Sequence, residues 1–510
     1  VDVVVAPNEI CFAHGTGVLL ARLLAGAAPY ITLRSWNNWG GEQSVAPLAD
    51  HVFQSEWPGA KDRTGAAAFA TEVVDGFEVG HILAVPYFRH DVHMALAAKA
   101  ATGAPMTVYV MDDNTLFNAE IPQEEMGELL RGADAVFAIS PEMRTLYQNH
   151  FRVPILVAPP VVADDLVRAR PSDPPVPPLP GVRARVGLIG NIWHQAWLDQ
   201  MMDSARRADI TVEWLASAEE FHWLTLPDED LRSGRLVFRP GLPSRAMLSE
   251  IEQFAAVIVP SGTFEETGHA LSISRLSLPS RMSFIVAGAG TPLLVLGHSD
   301  TGAARFVRRF DLGLVSPYEP QALADALTRL RDPSLQARIR RRASELGPIF
   351  RAGGVLDLLR GTAQSGGVPT TDRFERIFGL PDREFGYYLQ PAVPRLVFAD
   401  HVDTFRAFTR LRAAGYRPDF VVDVGASSGI WSYYAWEVFP EARFLLIDPL
   451  ASRYTGRCHR DGFEILECAV CDHEGTAEFR VSADLYNSSL IAVGSVSAQT
   501  DLVRVPMRTL

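Results

Sequence analysis

The sequence predicts an α/β protein: two doubly wound parallel-sheet domains of similar size, followed by a third α/β unit. Three observations predict it. Short β-branched runs alternate with helical patterns, the arrangement that joins parallel strands through crossover helices. A proline-dense stretch, "RARPSDPPVPPLPGVRAR", interrupts that alternation before it restarts, and so much proline suits neither helix nor central strand. A second break, "GTAQSGGVPTTD", precedes the last run of strands. At roughly 100–200 residues per domain, the 510 residues have room for three or four compact domains. The expected division is a first domain over residues 1–167, a linker over 168–185, a second domain over 186–360, a linker over 361–394 and a third, incomplete unit over 395–510.

In the first domain the strand-like runs are "DVVVA", "YITLR", "HVFQ", "HILAV", "MTVYVM", "AVFAIS" and "ILVAP". Between the first strand and the first helix, "CFAHGTGVLLARLL" places His14, Gly15, Thr16 and Gly17. Two glycines there let the backbone approach a ligand, and a helix start offers free N–H groups to an anion. A plain glycine turn with a capping threonine is the alternative. "VYVMDDNTLF" ends a strand in Asp112, Asp113 and Asn114, which read as polar residues of a cleft or as solvated turn carboxylates. Such an acidic strand end also suits a divalent metal, but the second complete domain downstream argues against that use.

The second domain restarts with "RVGLIGNIWHQAW", where Gly190, Asn191 and His194 follow the strand, and continues through "TVEWLA", "RLVFRP", "AAVIVPS", "TPLLVLG" and "LGLVSP" to the basic helical stretch "DPSLQARIRRRASEL". Within "VPSGTFEETGHALSISRLSLPSRMSFIVAGAGTPLLVLG", Ser277, Ser280 and Arg281 precede an apolar helix, and Gly290, Thr291 and Pro292 lead into a strand. An arginine beside unpaired N–H groups suits a diphosphate, because its fork binds oxygens in pairs and the helix dipole favours negative charge. A surface or capping arginine is the alternative. Paired domains of this kind leave a cleft at the carboxyl ends of their strands, where ligands sit.

In the third unit, "FVVDVGASSGIWSYYAWEVFPEARFLLIDPL" has a strand ending at Asp423, a loop framed by Gly425 and Gly429, and a second strand ending in Asp448. A carboxylate at that second strand end can accept both ribose hydroxyls of a nucleoside cofactor. "GASSG" lacks the middle spacing of a dinucleotide-binding glycine motif.

The bulk numbers exclude several classes. Apolar residues make up 47% and charged residues 21%, ordinary for a folded globular chain. A formal charge of -13 without a Lys/Arg block argues against nucleic acid or an anionic membrane as the main partner. The longest nearly uncharged run, "MSFIVAGAGTPLLVLG", is shorter than the ~20 residues of a spanning helix, so no transmembrane segment is expected. Four cysteines, Cys11, Cys458, Cys468 and Cys471, make no disulfide framework and fit a reducing cytoplasm. Cys468 and Cys471 form a CxxC with no second ligand pair, and read as core residues rather than a zinc site. The start "VDVVVAPNE" shows no signal peptide and the end "RTL" falls short of a full third domain, so both ends are expected to be cut.

Taken together, the glycine loop at His14 to Gly17, the strand-end acids before "ADAVFAISPEMRTLY", the "VGLIGN" restart and "SLPSR...AGAGTPLL" resemble the retaining GT-B glycosyltransferases of the family-four type, over about residues 1–350. The resemblance implies two Rossmann-like domains, a nucleotide-sugar donor, a glycan or lipid-linked glycan acceptor and no metal. Carried over, Gly15, Gly17, Gly190, Asn191, Ser280, Arg281 and Thr291 would bind the donor, with Arg281 on its diphosphate. Asp113 and His14 would stand on the reaction and acceptor side. One departure is plain: the family's ribose-binding glutamate before the Gly-x-Pro turn is missing from "RMSFIVAGAGTP", and Glu265 and Glu266 lie upstream of that spacing. From about residue 395 the glycine loop, Asp448, "ILECAVCDHEGTAEFRVS", "YNSSL" and "VRVPMRTL" resemble the FkbM-type class I methyltransferases. That implies S-adenosyl-L-methionine, held at Asp423, Gly425, Gly429 and Asp448, and methyl transfer to a hydroxyl, with Asn487, Ser488 and Ser489 near the acceptor or in an ordinary turn. The function expected is a bifunctional enzyme of glycan biosynthesis. The rivals are a GT-B epimerase or phosphorylase and a catalytically silent glycan-binding module.

Overall fold

The computed structural model describes residues 1–12, 14–25, 27, 29–36, 51–55, 62–175, 183–221, 223–371, 373–379, 404, 407, 408, 410–412, 414–427, 429–439, 441–451, 463–481 and 501–509. They form two compact units, Val1–Leu380 and Pro381–Leu510. Asn487, Ser488, Ser489 and Cys458 lie outside the described residues.

The first unit holds two parallel sheets. One is built from β1 (Asp2–Val5), β2 (Tyr30–Arg34), β3 (His51–Gln54), β4 (His81–Ala84), β5 (Met106–Val110), β6 (Ala135–Ala138) and β7 (Leu156–Val157), in the order β3-β2-β1-β4-β5-β6-β7. The other is built from β8 (Ala184–Leu188), β9 (Ile210–Trp214), β10 (Leu236–Phe238), β11 (Val257–Pro260), β12 (Leu293–Leu296) and β13 (Gly313–Ser316), in the order β10-β9-β8-β11-β12-β13. Both sheets reverse direction beside their first strand, the doubly wound switch point. Their central strands are mostly apolar because helices cover both faces: Val3, Val4 and Val5 are buried, as are all four residues of β12.

The segments between and after the sheets are packed onto them. Ahead of the prolines, Arg168 pairs with Glu252 and donates its backbone N–H to Ala287, and the buried Arg340 reaches Ser172 Oγ at 2.6 Å. Helix Val355–Gln364 follows the second sheet in sequence yet packs against β5 and β6 of the first. Thr107 donates to the Leu359 carbonyl at 3.0 Å, and Arg360 pairs with Asp2. The chain thus crosses back, and residues 355–364 complete the first sheet's cover although the sequence division places 355–360 in the second domain and 361–364 in the following linker.

In the second unit β14 (Phe420–Val424), β15 (Arg443–Ile447) and β16 (Phe463–Leu466) form a parallel sheet in that order. β17 (Ala469–Val470), β18 (Gly475–Val481) and β19 (Asp501–Arg508) form another, in the order β17-β19-β18. Helix Ile430–Val438 packs on one face of the parallel sheet through Ala435 and Val438.

Candidate functional site

In the first unit the strand ends of both sheets meet at the turn after β1. His14 caps helix Gly15–Leu24: its Nδ1 accepts from the Gly17 N–H at 3.2 Å, and its Nε2 lies 2.8 Å from the Glu9 carbonyl. Nδ1 is therefore the acceptor and Nε2–H the donor, and burial lowers the imidazole's pKa against the pull of Glu9. A ring so engaged holds the loop closed. Gly17 has no alternative, since a Cβ there would stand 2.5 Å from the Cys11 carbonyl. Gly15 lies close to the second half: a Cβ on it would be 4.0 Å from Ser280 Oγ.

The two strand-end acids part ways. Asp113 turns into its own loop, where its carboxylate accepts from the N–H groups of Thr115, Leu116 and Phe117 at 3.3, 2.8 and 2.8 Å and from the Tyr147 hydroxyl at 2.7 Å. It is 1% exposed, and the hydrogen bonds to its own loop and to Tyr147 hold it away from solvent. Asp112 faces the second half instead. It accepts from the Tyr87 hydroxyl, which in turn meets Thr16 Oγ1 at 2.6 Å, and from Ser277 of the second half at 3.5 Å. Burial raises the Asp112 pKa, while Tyr87 and the nearby His269 favour its ionised form.

Across from it, Arg281 follows Ser280 at the start of helix Ser280–Phe284, which continues as a π-helical turn, Ile285–Ala289. The guanidinium donates Nη1–H to the Ile189 carbonyl at 2.7 Å, and burial pulls its pKa down to about 10, so it stays charged near neutrality. Among the described residues no carboxylate pairs with it. Gly190, at φ 69°, brings the loop after β8 against it: a Cβ there would be 3.6 Å from Nη1. Asn191 follows on the same loop, half-buried. Thr291 does not join this group. It is 1% exposed and donates to the Ile251 carbonyl at 3.0 Å, tying a turn to a helix.

Glu266 is a loop anchor, accepting from Trp197 Nε1 at 2.6 Å, Thr263 N–H at 2.9 Å and Phe264 N–H at 2.9 Å. Burial alone would raise its pKa, but these donors hold it below the usual range. The stretch where the family's glutamate would stand, Ile285–Ala289, is apolar and buried. Sequence reasoning missed Tyr87, His269 and Trp193. Their signal was position: "VPYFRHD" follows β4, "GNIWHQAW" follows β8 and "ETGHALSISRL" opens a helix after β11, all three at carboxyl ends of strands.

In the second unit, Gly425 and Gly429 take φ of 76° and 74° around the loop after β14, and a Cβ on Gly425 would meet nothing within 4 Å. Asp448 accepts from Ser427 N–H and Leu450 N–H, each at 2.8 Å, one on each oxygen, which leaves a lone pair on both. Asp423 accepts from Ser432 Oγ at 2.6 Å and its pKa is raised by burial. An open glycine loop beside a fixed carboxylate fits the ribose and amino-acid ends of a nucleoside cofactor. Among the described residues no group of three or more His, Cys, Asp or Glu is placed to hold a metal ion, and no helix is long and apolar enough to cross a membrane.

No family model matches the chain, and no curated protein is a significant match. Solved structures do match. A glycosyltransferase from Rickettsia africae aligns at a TM-score of 0.53 and 12% identity over 71% of this chain and 97% of its own. HepE of Anabaena, in complex with UDP and glucose, aligns at 0.51 and 13% over 72% of this chain and 100% of its own. The trehalose-6-phosphate synthase OtsA aligns at 0.51 and 11% over 72% and 99%. At such identities the likeness shows the fold: parallel Rossmann-like sheets arranged as in GT-B glycosyltransferases.

Proposed function

We propose that the first unit transfers a glycosyl group from a nucleotide sugar to a glycan or lipid-linked glycan acceptor. The observation that carries this is Arg281: a half-buried, charged fork with no carboxylate partner among the described residues, between the glycine turns at Gly15 and Gly190. Taking a cation out of water is costly unless an anion offsets it, and a nucleoside diphosphate is such an anion. The structures of similar fold include one bound to UDP and glucose. On this reading Arg281 and the N–H groups near Ser280 stabilise the leaving diphosphate, while Gly190 and Asn191 line its other side. Tyr87, Asp112 and Ser277 form the polar wall facing the transferred group. His14, Gly17, Asp113 and Thr291 then act by holding loops in place.

For the second unit we propose binding of S-adenosyl-L-methionine at Gly425, Gly429 and Asp448, in support of O-methylation of a sugar. The cofactor would supply an electrophilic methyl group, and the chain's part is to orient it. The pairing of both activities in one cytoplasmic enzyme completes the reading. A second reading, a glycan-binding module without transferase activity, is favoured by the apolar run Ile285–Ala289 where a ribose glutamate would stand. Calorimetric titration of the 510-residue chain with UDP, GDP, ADP and S-adenosyl-L-methionine tests both sites without an acceptor. Saturable binding of one diphosphate is expected, and labelled nucleotide sugar then separates transfer from mere binding. Absence of binding by all three diphosphates removes the transferase reading.

A further inference from the structure

We propose that His269 grips a hydroxyl of the transferred sugar through Nε2, with the exposed face of Trp193 as the wall against which the sugar ring packs. The proposal rests on the glycosyl-transfer reading above and deepens it. His269 stands at the second position of helix Gly268–Leu276, half-buried, and its Nδ1 is sealed from solvent with no hydrogen-bond partner among the described residues. That leaves Nε2 as the ring's available nitrogen, and no hydrogen bond within the described residues occupies it either.

Its neighbours explain what it waits for. Trp193 meets the imidazole edge to face, centroids 5.8 Å apart at 90°, yet keeps 45% of its surface exposed. Asp112 lies within electrostatic reach of the imidazole, but its oxygens are engaged by Tyr87 and Ser277. Leaving a sealed nitrogen unpaired costs stability, and an apolar residue at this half-open position would avoid the cost. An indole face beside a free imidazole nitrogen is the chemistry that recognises a hydroxylated ring: the apolar C–H face stacks while a hydroxyl hydrogen-bonds. The location agrees, because Trp193 follows Gly190 by three residues and Gly190 abuts Arg281. The wall begins where the diphosphate side ends.

The test compares UDP, GDP and ADP with their glucose conjugates by calorimetry on the full chain. For the nucleotide bound by wild type, His269→Ala should leave the diphosphate's Kd within about twofold while weakening its glucose conjugate by roughly 10-fold. Trp193→Ala should show the same selectivity, and His269→Gln, which can still donate and accept, should recover part of the loss. Arg281→Ala should weaken both ligands. Equal changes for diphosphate and conjugate in His269→Ala, or none in either, overturn the proposal while an Arg281-dependent Kd keeps the transferase reading. If wild type binds none of the six ligands, both fall.

Discussion

Replacing Arg281 by alanine removes one charged fork and nothing else of the cleft. Among the described residues the guanidinium makes a single hydrogen bond, to the Ile189 carbonyl at 2.7 Å, which leaves its other N–H groups for a ligand. A hydrogen bond to a charged group is worth about 1.5–3 kcal/mol, so the variant should bind the nucleoside diphosphate roughly 10- to 150-fold more weakly. Arg281→Lys should fall between, because the ammonium keeps the charge but loses the paired geometry. Losing the bond to Ile189 should also lower unfolding stability by about 1 kcal/mol, small enough for a folded variant. Calorimetry measures the affinity, and a thermal melt confirms the fold. A Kd unchanged in a folded Arg281→Ala protein would refute the argument and return this arginine to a purely structural role.

Glycosyl transfer should survive chelation, since Asp112 and Asp113 are already committed to Tyr87, Ser277 and backbone N–H groups; activity abolished by chelator and restored by manganese would contradict this. Asp448→Ala should weaken S-adenosyl-L-methionine binding by about 1–3 kcal/mol, read by calorimetry, because the ribose loses its acceptor and the Ser427 and Leu450 N–H groups lose theirs. Asp91 should shape the pH dependence of stability: burial pushes its pKa from 3.8 to about 7, so its stabilising contribution is complete below about pH 4 and lost as pH rises through about 7. His90 and His81, both pushed to about 4 by burial, act in the opposite sense, so the readout is the difference between Asp91→Asn and wild type across pH 4–7. A difference that stays constant over that range would show that Asp91 is not the titrating group.

Much of the fold was legible because it is local. All seven strand-like runs before residue 160, from "DVVVA" to "ILVAP", are strands, and the restart at "RVGLIGN" opens a second sheet in the same order. A continuous apolar run between helical patterns has few options other than a buried parallel strand. The glycine turns were legible for the same reason: Gly17 and Gly190 sit where the backbone needs close approach or positive φ.

The direction of side chains was not local, and there the reading needed the tertiary structure. Asp112 and Asp113 are identical in type and adjacent, but only tertiary packing places Tyr147 behind one and Tyr87 and Ser277 before the other. His14 and Thr291 looked available in a string of letters, while the fold had already given their polar atoms to Glu9, Gly17 and Ile251. The crossing helix Val355–Gln364 packs on strands some 250 residues earlier, and no local period encodes such a contact. Tyr87, Asp112, Trp193 and His269 follow the ends of four different strands, β4, β5, β8 and β11, and Arg281 lies at a helix start before β12. The sequence by itself determined where strands and turns form, because φ/ψ preference and burial pattern are properties of short segments. Which polar groups are spent on the fold and which remain for a ligand was decided only by the tertiary structure, because hydrogen-bond satisfaction depends on partners that the chain brings from afar.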